Sequence, residues 1–302
     1  MKASYKCIDC FSRQIKISSS LIRLNKKDKE SLVLFLRRKL LKFDFNQPPV
    51  VFGRAIYKSV AKAGGVKDIF AKEKIRIENY LIKLSPYFRM ILEKAQDPLY
   101  AAARICCAAN EIDFGAGKRP DLKNIFFKIK NIKLKINHFS VFKSKLKKIR
   151  NLLIIGDNSG EAFFDKFFIE EIIKFNPQIN VCYATRSSPI INDVLISDAK
   201  RLALDKVARI TSSGCDYPGI ILEKISKSFR KIYNQADLII SKGQGNFESL
   251  SDKEKDIFYL FQIKCITVSD FLSLPVGGLL FIHNKNMAPE KSRPIIKKSR
   301  RS

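Results

Sequence analysis

The sequence has only two histidines, three methionines and no long apolar run among its 302 residues. The longest apolar stretches, such as Phe271–Ile282, are broken by glycine and proline. None approaches the ~20 residues a membrane span needs. The first ten residues, MKASYKCIDC, lack an apolar signal region, so secretion is not indicated. His138 and His283 stand far from every motif and are assigned no role. Cys7-x-x-Cys10 has no second CxxC and no nearby histidine, which argues against zinc. Seven cysteines, an odd number, read as reduced thiols of a cytoplasmic protein and not as a disulfide framework. There is no internal repeat, no helix-turn-helix signal and no aromatic–basic interleaving of an RNA-binding kind.

What is present is a large positive charge, +28 overall, and a hydrophobic fraction of 46% that supplies a sizeable core. The charge is unevenly spread. Residues 1–150 hold 35 Lys and Arg against 12 Asp and Glu, residues 151–284 hold 15 against 16, and residues 285–302 hold 7 against 1. The segment 151–284 is therefore close to neutral and no basic patch. Lysine outnumbers arginine 40 to 17, and Ile, Asn and Phe are abundant, so coding bias accounts for the surplus better than a polyanionic partner does.

Residues 1–115 read as a helical domain. Leu32, Phe35, Leu36 and Leu40 recur at helical spacing, Pro48-Pro49 interrupts them, and Val51, Ala55, Ile56 and Val60 form the next apolar face. A long helical pattern over 69–94 is interrupted near Pro86, and Asp97-Pro98 opens a further helix with Asp97 as its cap. Residues 116–150 form a basic, partly ordered connection in which the alternation at Lys133–Ile136 fits either a strand or a solvated linker. From Asn151 short apolar strands alternate with helices. Strands are expected at Leu152–Ile155, Ile179–Ala184, Val207–Ile210, Leu238–Ile240, Lys264–Val268 and Leu279–Ile282. Helices are expected at Glu161–Phe175, Ile191–Leu204 and Ile220–Arg230. This pattern predicts an α/β class: a doubly wound, largely parallel sheet in an α/β/α sandwich over 151–284, with the helical domain before it. Residues 285–302 read as a disordered basic tail.

Ligands of such sheets bind beyond the carboxyl ends of the strands. Asp157-Asn158-Ser159-Gly160-Glu161 follows the first expected strand of the sheet, and Arg186 to Asp193 follow the second. Ser241-Lys242-Gly243-Gln244-Gly245-Asn246 follows Leu238–Ile240. Asp157, Asn158 and Asp193 offer hard oxygens of the kind Mg²⁺ or Mn²⁺ prefer. Lys242, with Gly243 and Gly245 admitting close backbone approach, suits a phosphate oxygen. Ser159-Gly160 at a helix start offers further N–H groups to an anion. Each has a plainer reading: Asp157 and Asn192-Asp193 as helix caps, and Lys242 as a turn lysine. Their coincidence after successive strands favours a phosphoryl site.

Five separated motifs carry a resemblance. Asp157-Asn158-Ser159-Gly160-Glu161 with Phe164-Asp165 resembles the DN-x-GE-xx-FD signature of the metal-dependent damage-control phosphatases, a family related to the acidic residue methyltransferase-like domain. Cys7 to Cys10 with Gln14 resembles its CxxC element, and Asp97-Pro98, Arg104 and Ala109 to Gly115 its DP…AN-x-IDFG segment. Arg186 to Asp193 and Ser241 to Asn246 resemble its R-xx-P-(I/V)-(I/L)-ND turn and its SKG-x-GN loop. The order matches over roughly residues 5–282.

The resemblance implies that Asp157, Asn158 and Asp193 ligate a divalent metal, Mn²⁺, Ni²⁺, Co²⁺ or Mg²⁺. It implies that Lys242 contacts the substrate phosphate, with Asp157, Asp193 and Lys242 catalytic. Asn110, Asp113, Ser159, Gly160, Arg186 and Asn246 then join Lys242 in substrate binding. The implied activity is hydrolysis of phosphate monoesters of small metabolites, with a carboxylate nucleophile and an activated water both open. The runner-up is an S-adenosylmethionine-dependent carboxyl methyltransferase, although no GxGxG loop follows the first strand. A nucleic-acid-binding protein comes third. No membrane partner is expected, and no oligomeric state is assigned.

Overall fold

The computed structural model describes residues 1–109 and 132–287. Six helices come first: α1 Cys7–Ser20, α2 Lys26–Leu41, α3 Pro49–Ala63, α4 Ala71–Lys83, α5 Ser85–Glu93 and α6 Pro98–Ala109. Asp97 caps α6 by accepting from the Tyr100 amide at 3.0 Å. The helical residues divide between two cores. Helices α1–α3 enclose their own cluster, with Phe11, Leu36, Phe52 and Ile56 at its centre. Helices α4–α6 instead bury Leu81, Phe88 and Ala103 against the sheet.

The sheet has seven strands: β1 Leu134–Asn137, β2 Asn151–Ile155, β3 Asn180–Thr185, β4 Arg209–Ser212, β5 Leu238–Lys242, β6 Ile257–Gln262 and β7 Leu279–His283. Their order is β1-β7-β6-β5-β2-β3-β4. Every pairing is parallel except that of β6 with β7. Between the strands run α7 Phe139–Leu146, α8 Ser159–Phe175, α9 Ile196–Arg201, α10 Lys227–Gln235, α11 Gln244–Leu250 and α12 Ile266–Leu272. Successive residues of β2 enter opposite cores: Leu152 and Ile154 pack with α4–α8, and Leu153 and Ile155 with α10–α12. This double burial is why the strands read as unbroken apolar runs.

Several sequence expectations need correction. Residues 134–146, set apart as part of a basic connection, supply β1 and α7, and β1 joins the sheet beside β7. Lys264–Val268 is no strand: the β-branched residues there begin α12, which buries Thr267 and Val268. The strand in that region is β6, which the sequence reading did not assign. Ile220–Arg230 breaks into a short 3-10 turn and α10, because Ser226 caps a new helix by accepting from the Phe229 amide. Ile191–Leu204 is helical only over α9, since Ile191 takes a left-handed conformation at φ 45°. The stretch read as a tail is described only as far as Met287, and residues 288–302 lie outside the described residues. No described helix is long and apolar enough to cross a membrane.

Candidate functional site

Strand β2 lies between β5 and β3, so the chain leaves its two neighbours in opposite directions and opens a crevice at their carboxyl ends. A cleft of about 350 Å³ occupies this place, between the α/β layer and α1 and α3. Asp157, Asn158 and Asp193 line its floor, with Lys264 and Gly245 beside them and Tyr57 on the helical wall. Ion pairs to one carboxylate fix that wall: Arg54 of α3 grips Asp216 through two bonds at 2.7 and 2.8 Å, and Lys58 stands 3.4 Å from the same Asp216 while donating a hydrogen bond to Ser188 at 2.8 Å. A larger groove of about 560 Å³ opens at the amino ends of β2–β4 but gathers no comparable cluster of carboxylates.

The two acidic turns are stitched together by backbone. The Val194 amide donates to the Asp157 carbonyl at 2.8 Å, and the Ser159 amide to the Asn192 carbonyl at 2.9 Å. Arg186, fully buried, donates from Nε to Asp193 Oδ2 at 2.6 Å, and its Nη2 lies 3.9 Å from Asp157 Oδ1. Burial pushes the Asp157 carboxyl well above the usual range, with the charges of Glu161 and Asp193 adding to it and those of Lys264 and Arg186 opposing it. Burial also raises Asp193, to about 6, against the pull of Arg186. Two buried carboxylates held above their ordinary range favour a neighbouring cation.

The donor set fits a divalent metal. Among the described residues no group of three or more His, Cys, Asp or Glu side chains is arranged to hold an ion. Asp157, Asp193 and Asn158 instead offer two carboxylates and a carboxamide, a hard-oxygen set suited to Mg²⁺ or Mn²⁺. Gly243 shows how closely the chain approaches this set. With φ at 80°, any Cβ there would lie 1.9 Å from Asp157 Oδ2.

A family model for the damage-control phosphatase ARMT1-like domain matches residues 3–280. The chain belongs to this family. It is 32% identical over 291 residues to the protein named damage-control phosphatase PH1575 of Pyrococcus horikoshii, covering 94% of this chain and 99% of that one. It is 28% identical over 290 residues to a damage-control phosphatase of Archaeoglobus fulgidus, covering 93% and 98%. The crystal structure of a DUF89 family protein, PH1575 from Pyrococcus horikoshii, aligns at a TM-score of 0.86 and 29% identity, over 94% of this chain and 99% of that chain. Membership supports a phosphatase role and agrees with the mixed α/β fold.

The residues singled out by the family motifs separate into those at the cleft and those beneath it. Asp157, Asn158 and Asp193 line the cleft. Lys242 does not. Its ammonium is fully buried, 2.7 Å from Asp165 Oδ1 and 3.1 Å from Glu161 Oε2. Asn246 is also inside, donating to the carbonyls of Gly156 and Lys242 and accepting from Arg186 and the Ile220 amide. Ser159 and Gly160 are buried below the floor, and the Ser159 amide is spent on Asn192. Asn110 and Asp113 lie outside the described residues. Cys7 and Cys10 line the outer part of the same cleft, with Cys7 also packed in the α1–α3 core.

The cleft also holds residues that no motif singles out, among them Tyr57, Glu248 and Lys264. Lys264 follows β6 at the carboxyl edge of the sheet, and its side chain is exposed at the cleft. The signal was available: Ile257–Gln262 is an apolar run of strand type, and the residues after it belong to the same edge as the other motifs.

Proposed function

We propose that the protein is a divalent-metal-dependent phosphatase that hydrolyses phosphate monoesters of small metabolites, such as sugar phosphates or damaged phosphometabolites. The observation that carries this reading is the pair of buried carboxylates, Asp157 and Asp193, lining one cleft with Lys264 at the switch point of the sheet. Asp157, Asp193 and the Asn158 oxygen would hold the metal, Mn²⁺, Ni²⁺, Co²⁺ or Mg²⁺. Such an ion supplies polarisation of the phosphoryl group and neutralises charge as the ester bond breaks. Of the two lysines lining the cleft, Lys6 is paired with Asp270, and Lys264 is the one we assign to a phosphate oxygen, the role the family resemblance had given to Lys242. Arg186 keeps Asp157 and Asp193 apart and aimed, through its contacts with both. The helical wall, with Phe11, Val50 and Tyr57, covers the organic part of a small substrate and excludes water from it. The seven free cysteines agree with work in the reducing cytoplasm.

The methyl-transfer alternative draws no support from the turn after β2. Gly156 is small because a Cβ would fall 2.6 Å from the Tyr183 hydroxyl and 2.7 Å from Val194, so it serves packing and not the approach of a nucleotide cofactor. The deciding experiment uses protein stripped of metal and screened with Mn²⁺, Co²⁺, Ni²⁺ and Mg²⁺ against p-nitrophenyl phosphate and a panel of sugar phosphates. Turnover that depends on added metal is expected. No turnover with any of the four, together with bound S-adenosylmethionine, would reverse the assignment.

A further inference from the structure

Beneath the cleft floor a short chain of hydrogen bonds runs from Lys242 to Asn158. Lys242 Nζ donates to Asp165 Oδ1 at 2.7 Å and to Glu161 Oε2 at 3.1 Å. The second Asp165 oxygen accepts from the Tyr183 hydroxyl at 2.8 Å. The second Glu161 oxygen, Oε1, accepts from Asn158 Nδ2 at 2.6 Å, and the same nitrogen reaches Asp157 Oδ2 at 3.2 Å. The Asn158 amino group is thus held between two carboxylates. Turning the carboxamide over would set its oxygen against Glu161 Oε1 in place of the N–H that this carboxylate now accepts. With the nitrogen fixed inward, Asn158 Oδ1 has no hydrogen-bond donor among the described residues, on a side chain that lines the cleft.

We propose that Lys242 is a positioning residue. Acting through Glu161, it locks the Asn158 carboxamide so that an oxygen, and not an N–H, faces the space between Asp157 and Asp193. An amide in the wrong orientation would present two N–H donors to a cation and repel it, so orientation decides whether Asn158 is a ligand at all. Lys242 achieves this without touching substrate, because its ammonium is fully buried on Glu161 and Asp165. Asp165 belongs to the same buried cluster but bonds to Lys242 and Tyr183 where Glu161 bonds to Lys242 and Asn158, so the two carboxylates differ in what they transmit. This inference rests on the metal-dependent reading of the cleft.

The test is calorimetric titration of Mn²⁺ into metal-free wild type, Lys242→Met, Glu161→Gln, Asp165→Asn and Lys264→Met. Binding of inorganic phosphate is then measured on each Mn²⁺-saturated protein. Lys242→Met and Glu161→Gln are expected to weaken Mn²⁺ at least tenfold while phosphate binding at saturating Mn²⁺ stays within about threefold. Asp165→Asn is expected to leave Mn²⁺ within about threefold, and Lys264→Met to weaken phosphate alone. Unchanged Mn²⁺ affinity in Lys242→Met, with phosphate weakened instead, would overturn the proposal and make Lys242 a substrate contact. Equal losses in Asp165→Asn and Glu161→Gln would also overturn it, since a merely structural cluster predicts equality. Should Lys242→Met not fold, Glu161→Gln, which keeps the side-chain shape, decides. Wild type that binds no Mn²⁺, nor Co²⁺, Ni²⁺ or Mg²⁺ in parallel titrations, sinks the underlying reading of the site. Wild type that binds Mn²⁺ as tightly as Lys242→Met and Glu161→Gln sinks only the positioning role.

Discussion

Two clusters of buried charge meet at the start of α8, and each sets one cation against two carboxylates. In the inner one, Lys242 sits centrally, 2.7 Å from Asp165 and 3.1 Å from Glu161. In the outer one, Arg186 is 2.6 Å from Asp193 but 3.9 Å from Asp157, and both carboxylates line the cleft. The formal balance is the same, so net charge does not distinguish them. Geometry does. Burial raises Asp165 in the inner cluster as it raises Asp157 in the outer one. The inner cation, however, satisfies both partners in a place closed to ligands, whereas the outer one is drawn to Asp193 and leaves Asp157 open to the cleft. Burial of charge marks a structural cluster where the pairing is closed, and a site where it is left open towards a cleft.

The largest test of that distinction is Asp157→Ala. Loss of an open carboxylate is expected to lower metal-dependent turnover by at least about 10²–10³-fold, the range seen when one electrostatic group is removed from an active site. The metal-free protein should be no less stable, and Asp157→Asn should melt higher. The sign follows from the raised pKa: the folded state penalises the charged form, so stability falls as pH rises towards the folded pKa, and an amide removes that penalty. Full retained turnover in Asp157→Ala would sink the site assignment.

Metal removal comes next. A ligand at 100 times its Kd stabilises the native state by about 2.7 kcal/mol, which for a chain of this size is several degrees in Tm. Mn²⁺ should therefore raise the melting temperature of stripped wild type and leave that of Asp193→Asn unmoved, as followed by thermal unfolding with and without the ion. Equal shifts in both proteins would place the cation elsewhere.

Lys264 sharpens the comparison between an exposed lysine and a buried one. A charge-assisted hydrogen bond is worth about 1.5–3 kcal/mol, so Lys264→Met is expected to raise the KM for a phosphate ester by roughly tenfold or more while metal affinity holds. Steady-state kinetics at saturating metal would show this, and an unchanged KM would remove Lys264 from the phosphate.

How these two lysines were read shows what a sequence exposes. The strand end at Ile155, and that of β5 to within two residues, were legible because doubly buried strands are short apolar runs, and so the motifs near them could be placed on one edge. Lys242, expected just after its strand, is instead the last residue of β5. Asp157, Asn158 and Asp193 followed from that placement. Depth did not. Ser241-Lys242-Gly243 and Ile263-Lys264-Cys265 look alike as a lysine beside a strand end, yet one side chain turns inward to Asp165 and the other lines the cleft. The partner that decides the first case, Asp165, lies 77 residues away and on a helix. Lys264 was not legible in this way, because the strand expected at Lys264–Val268 puts it at the start of a strand, whereas in the structure it follows the end of β6. The packing of α4–α6 on the sheet was not legible for a related reason: helical periodicity marks an apolar face but not what that face meets.

A third buried carboxylate provides the finest test, because it lies between the two cases. Glu78 of α4 is fully buried between the helical layer and α9, where Lys74 reaches Asp198 at 2.8 Å and Asp68 at 3.0 Å. Arg201 Nε stands 2.9 Å from Glu78 Oε2 without a well-directed hydrogen bond, so the contact between them is one of charge. Burial, helped by the charge of Asp198, raises the Glu78 carboxyl to about 7. Its folded pKa then exceeds its unfolded value of 4.5, so the native state retains a proton that the unfolded chain releases. Stability should decline as pH rises from about 4.5 to about 7 and level off above that. Glu78→Gln should flatten this slope. The gain above pH 7 is expected to be only about 1 kcal/mol, because the substitution also leaves Arg201 with a weaker partner. Denaturant unfolding of both proteins from pH 4.5 to 8 measures it. An unaltered slope in Glu78→Gln would mean that Arg201 already closes the pair, and that a cation in contact is enough to make a buried carboxylate structural.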